Sequence, residues 1–183
     1  MGVRGKRTRR IEDEPTLLGD IDSILREAID DKHIEGRAIN VRSLVNAHKL
    51  GIKEEDLPPT VSGKLIKEDD HWKIIVNKNH HERRKRFTIA HEFAHYCLHK
   101  SESNEFEDTT FFRDQNSSSI EYKANEFASE ILMPEQLFKA AISDGIVTLS
   151  AISEEFNVSI QAAKYRATAL GYSFDRNDEP TIK

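Results

Sequence analysis

A chain of 183 residues, 37% of them apolar and 32% charged, suffices for one moderate domain and is too richly patterned for a disordered polymer. Its 27 Lys and Arg against 32 Asp and Glu leave a net charge of −5, which argues against a surface that grips nucleic acid throughout. One cysteine, Cys97, excludes an internal disulfide framework and a cysteine-based zinc site. No apolar run approaches the roughly 20 residues that span a bilayer. The basic run Met1 to Arg10 leads into Ile11-Glu12-Asp13-Glu14 rather than an apolar segment, so no signal peptide is expected and a reducing cytoplasm is the expected location.

Residues 1–15 read as a flexible charged tail. Leu17, Ile21, Ile24, Leu25 and Ala28 recur at helical spacing and predict a first amphipathic helix. A second is predicted from Val41 to Leu50, with Gly51 as its stop signal. After the break at Leu57-Pro58-Pro59, Val61 to Lys67, an acidic turn at Glu68-Asp69-Asp70, and Trp72 to Asn77 predict a β-hairpin. The next helix is predicted over Phe87 to His99, with Ala90, Phe93, Ala94, Cys97 and Leu98 as its apolar stripe and Thr88 as a cap. The run from His80 to Arg86 before it reads as a solvated lead-in. Ser101 to Ser119 has no regular period and reads as a long acidic loop. Ile120, Ala124, Phe127, Ala128 and Ile131 define a further helix closed by Met133-Pro134, and the remainder is helical in character, punctuated by Gly145 and Gly171. The expected organisation is a tail over 1–15, a main domain over 16–144, a C-terminal helical segment over 145–175 packed on it, and a tail over 176–183.

His91-Glu92-Phe93-Ala94-His95 is the pattern H-E-x-x-H on a predicted helix. Positions i and i+4 differ by about 40° around a helix axis, so both imidazoles leave one face and can reach one ion. Glu92, between them, is poorly placed to ligate that ion and well placed to take a proton from an attacking water. A third ligand is still required. His99, four residues beyond His95, is too far along a straight helix to join both and suits a helix C-terminus. The acidic loop offers Glu102, Glu105, Glu107, Asp108 and Asp114. Glu121 opens the next helix with Asn125 one turn later on the same face, which suits a ligand followed by a group that orients a histidine ring. Spacing alone leaves Glu121 equally readable as an N-terminal helix acid and Asn125 as a solvent residue.

The block Arg86-Phe-Thr-Ile-Ala-His-Glu-Phe-Ala-His95, followed by Glu121-x-x-Ala124-Asn125-x-Phe127-Ala128-x-x-Ile131-Leu132-Met133-Pro134, resembles the ImmA/IrrE family of metallopeptidases. The resemblance runs from about Leu17 to about Tyr172. It implies an α+β zincin-like fold, mostly helical with a small sheet. It further implies that His91, His95 and Glu121 hold one zinc, with manganese or iron as substitutes, and that Glu92 is the general base. Asn125 would stand behind the ligands; Tyr122, His99, His80 and His81 are candidates for stabilising an oxyanion or touching substrate. The family's implied activity is site-specific cleavage of a helix-turn-helix repressor in a phage, mobile-element or stress-response pair.

Leu149-x-x-Ile152-x-x-x-Phe156-x-Val158-Ser159-x-x-Ala162 has helix-turn-helix spacing of its own. Glu154 and Glu155 offset Lys164 and Arg166, which leaves no net basic face and argues against direct DNA binding. The alternative function is a non-proteolytic DNA-binding regulator or toxin–antitoxin component whose metal site is structural. An intact Glu92 favours the peptidase, because a structural site has no use for a base between its ligands.

Overall fold

The computed structural model describes residues 19–30, 33–99, 105–108, 119–174 and 180–182. Two helices, α1 (Gly19–Asp30) and α2 (Val41–Ala47), flank a short antiparallel pair, β1 (Ile34–Glu35) and β2 (Ala38–Ile39). Strand β3 (Gly51–Glu55) precedes a hairpin of β4 (Gly63–Glu68) and β5 (His71–Asn77). Helix α3 (Glu82–His99) follows, then β6 (Glu105–Asp108), α4 (Ser119–Leu132), α5 (Glu135–Ser143), α6 (Leu149–Glu155) and α7 (Ile160–Ala169). Strands β7 (Tyr172–Phe174) and β8 (Pro180–Ile182) pair antiparallel at the end. This is the expected α+β architecture, helix-rich around small sheets.

The main sheet has the order β3-β5-β4-β6, with β3 parallel to β5 and the other neighbours antiparallel. The β4–β5 hairpin turns at Asp69 and Asp70, whose φ values of 49° and 61° are those of the tight turn that matches strand twist. Leu65, Ile74 and Val76 form one side of the core with Ile89, Ala90 and Phe93 of α3 and Phe127, Ala128 and Ile131 of α4. Helix α3 is thus held between the sheet and α4.

Four expectations need correction. The second helix stops at Ala47: Asn40 caps its start, accepting from the Ser43 amide at 3.0 Å, Lys49 turns the chain at φ 62°, and Gly51 opens β3 instead of ending a helix. The β3 sequence Gly-Ile-Lys-Glu-Glu has no apolar alternation because it lies at a sheet edge. The acidic stretch expected as loop contains β6, which pairs with β4. Pro180–Ile182, within the expected tail, forms β8; proline is tolerated there at the start of a strand.

The fourth correction concerns the start of α3, which lies at Glu82 rather than Phe87. Within the basic run His81, Glu82 and Arg84 are exposed, yet all four cations find acceptors in the fold. Arg83 donates to Ser153 Oγ at 3.0 Å and Arg84 to Ser62 Oγ at 2.8 Å. Lys85, 7% exposed, donates to Glu54 at 2.7 Å and Glu82 at 2.8 Å. Arg86 donates to the carbonyls of Ile39 at 2.9 Å and Asn157 at 3.0 Å. Hydrogen bonds from ionised donors are stronger than neutral ones, so these four side chains fasten the helix to β2, β3, the approach to β4, and the α6–α7 unit. Thr88 lies inside the helix, its hydroxyl donating to the Arg84 carbonyl at 3.1 Å.

Helices α6 and α7 are joined by a four-residue turn. Thr148 and Ser159 cap the two helices, and Asn157 turns between them at φ 50°. The interior of the pair is apolar (Leu149, Ile152, Phe156, Val158, Ala162, Ala163), and Arg166 of α7 donates to the Met133 carbonyl at 3.0 Å and to Glu130 at 3.1 Å. Among the described residues no helix is long and apolar enough to cross a membrane.

Candidate metal centre

Helix α3 presents His91 and His95 one turn apart on the face that meets α4, and the first turn of α4 brings Glu121 to them. The apolar neighbours set this up: Ala90, Phe93 and Ala94 bury one side of α3, and Ala124, Phe127 and Ala128 let α4 lie close. The two Nε2 atoms are 3.0 Å apart; Glu121 Oε2 is 3.2 Å from that of His91, and Oε1 is 3.4 Å from that of His95. One ligand atom from each of the three residues lies within 4.8 Å of the others.

These separations bear on what the group can hold. Donors at ~2.0–2.1 Å from a tetrahedral zinc stand about 3.3–3.4 Å from one another; the Glu121 separations of 3.2 and 3.4 Å lie close to those edges, and the 3.0 Å between the imidazoles is shorter. His91 and His95 are 0% and 1% exposed, so their polar edges are withdrawn from solvent. The two imidazoles beside it hold the Glu121 carboxyl well below the usual carboxylate range. An ionised carboxylate and two imidazole nitrogens converging on one point form an arrangement that a cation completes.

Asn125 lies one turn beyond Glu121. Its Oδ1 is 3.0 Å from His91 Nδ1. An amide oxygen only accepts, so with an ion bound this bond would hold the proton on Nδ1 and free the Nε2 lone pair for the ion. Glu92 is wholly buried next to His91, on the side of α3 that meets β4.

Tyr122 is 54% exposed and stands beside Tyr165 of α7, whose phenol is pushed up to about 12 by burial, with Tyr122 and Glu126 adding to the effect. His81 caps α3, its Nδ1 accepting from the Arg83 amide at 3.2 Å. His80 is half-buried and its pKa is lowered by burial and by Arg84 and Lys85. His99 ends α3, and its side chain lies outside the described residues, as do the side chains of Glu105, Glu107 and Asp108 in β6 and all of Glu102 and Asp114. Sequence reading did not single out Gly63 of β4, which abuts Glu92; a glycine inside a strand pattern is the signal that was there to find.

The Metallopeptidase ImmA of Bacillus subtilis (strain 168) is 28% identical over 142 residues, covering 72% of this chain and 77% of that protein. Residues 45–168 match the model of the IrrE N-terminal-like domain, a peptidase family. That span takes in the sheet, both helices of the histidine–glutamate cluster and the α6–α7 pair, and the chain belongs to the IrrE N-terminal-like family of metallopeptidases.

Proposed function

We propose that this metallopeptidase is a zinc-dependent endopeptidase in which His91, His95 and Glu121 hold the ion and Glu92 is the general base. The observation that carries the reading is the convergence of two buried imidazoles and one carboxylate, with a further buried carboxylate on the next residue. Zinc in a His₂Glu donor set supplies Lewis acidity that polarises a carbonyl and acidifies a water.

The chain's own groups do the rest. Glu92 takes the proton of the attacking water and returns it to the leaving amine, a role worth roughly 10²–10⁴-fold. Asn125, through His91 Nδ1, keeps that ring in the ligating tautomer and orientation. Glu121, ionised across the neutral pH range, offsets the charge of the ion.

The substrate class we propose is a helix-turn-helix repressor, on the strength of the family resemblance carried by the two motif blocks. The test is to incubate zinc-loaded chain with a helix-turn-helix protein encoded beside its gene and to sequence new N-termini by mass spectrometry. A single new terminus that forms with wild type and not with Glu92→Gln, while that variant retains zinc, is the expected result. Cleavage at the wild-type rate by Glu92→Gln would remove Glu92 from the mechanism.

A further inference from the structure

The stripe Arg84, Thr88 and Glu92 runs along one side of α3 at intervals of four residues, and all three meet the start of β4. Arg84 donates to Ser62 Oγ at 2.8 Å. The Ser62 carbonyl accepts from the Asn77 amide at 2.9 Å, and the buried Asn77 side chain donates to the carbonyls of Leu57 and Pro58 at 3.1 Å and of Val61 at 2.9 Å. The segment leading into Gly63 is therefore fixed both to the helix and to β5. At Gly63 the strand lies so close to α3 that an added Cβ would overlap the Thr88 methyl, stand 2.7 Å from the Ile75 carbonyl and 3.7 Å from Glu92 Oε1. No left-handed backbone angle explains this glycine; close approach does.

We infer that Gly63 is a positioning residue for Glu92: its bare backbone, fixed by the Arg84–Ser62 bond, sets where the carboxylate rests against β4. The inference rests on Glu92 being the general base. A methyl at this position forces strand and helix apart, and a displacement of about 1 Å at a reacting group costs on the order of 10²-fold in rate. The two halves of the centre separate here, because His91, His95 and Glu121 face α4 whereas Gly63 bears on Glu92 from the sheet side.

The test is ¹³C NMR of the 21.0 kDa zinc-loaded chain labelled at the glutamate carboxyl carbon, with the Glu92 signal assigned by its loss in Glu92→Gln. Gly63→Ala is expected to move that signal by more than its linewidth while zinc per chain stays at one and the chain remains folded by circular dichroism. Thr88→Ser, which trims the methyl but keeps the hydroxyl, is expected to lower the melting temperature and leave the signal in place. An unmoved Glu92 signal in folded Gly63→Ala, or an equal shift in Thr88→Ser, overturns the inference. Should Gly63→Ala fail to fold, the wild-type chain decides: a Gly63 Hα to Glu92 Hγ nuclear Overhauser effect supports the close approach, and its absence refutes it. Wild-type turnover by Glu92→Gln would overturn the general-base reading without touching the Gly63–Glu92 approach, so the two failures are distinguishable.

Discussion

In the first turns of α3, Arg83, Arg84, Lys85 and Arg86 each reach oxygen acceptors that the chain itself supplies, from Ser153 to the Ile39 carbonyl. Two turns later His91 and His95 point their Nε2 atoms at each other and at Glu121 across 3.0 to 3.4 Å. Lys85 near one end and His91 and His95 further along are withdrawn from water, at a cost that must be recovered. At the basic end recovery is internal and yields anchorage. At the histidine end the three donors converge in a geometry that fits a metal site. One helix is thus pinned at its start so that its middle can present a rigid donor set.

Beyond the loss of turnover in Glu92→Gln, this contrast can be broken in three ways. The largest effect is expected from Arg86→Met, which strips donors from the Ile39 and Asn157 carbonyls. Stability should fall by about 2 kcal/mol in chemical denaturation, with zinc stoichiometry unchanged; a loss of zinc in the folded variant would show that the two ends are not separate. Asn125→Ala reverses the pattern. Zinc affinity, measured by chelator competition, should drop 10–100-fold, or about 1.4–2.7 kcal/mol, with little change in stability of the metal-free chain.

The smallest effect is a pH dependence at the basic end. Lys85, through its hydrogen bonds to Glu54 and Glu82, has its pKa raised above 10.5, and Glu54 is lowered below 4.5 by the bond from Lys85 and then by Arg42. The raised lysine stabilises the fold below its unfolded pKa and loses that contribution as pH rises through the folded value. The lowered carboxyl stabilises above its unfolded pKa and loses it as pH falls through the folded value. The stability difference between wild type and Lys85→Met should therefore be greatest between about pH 5 and 10 and narrow towards both extremes. A difference independent of pH would mean that Lys85 acts by packing alone.

Much of the centre was legible because helical periodicity is a strict geometric rule: H-E-x-x-H on a helix obliges both imidazoles to share a face. The hairpin was equally plain, since apolar strands of suitable length flank an acidic turn. Glu121 and Asn125 were legible only through the resemblance, as spacing alone does not say which element packs against α3. Strand β3 escaped because edge strands need no apolar alternation, and β6 because its pairing partner, β4, lies some 40 residues earlier in the chain. The early start of α3 escaped because a run of cations reads as solvated until its acceptors are seen; those lie on β2, β3, the approach to β4 and the α6–α7 unit.

The central claim is that His91, His95 and Glu121 together hold a metal ion. Elemental mass spectrometry of the purified wild-type chain and Glu121→Ala, each exchanged into buffer with excess zinc and then desalted, tests it directly. One zinc per wild-type chain, lost or weakened by orders of magnitude in a folded Glu121→Ala, is the result the account predicts. Zinc retained equally by both, or bound by neither, would contradict it.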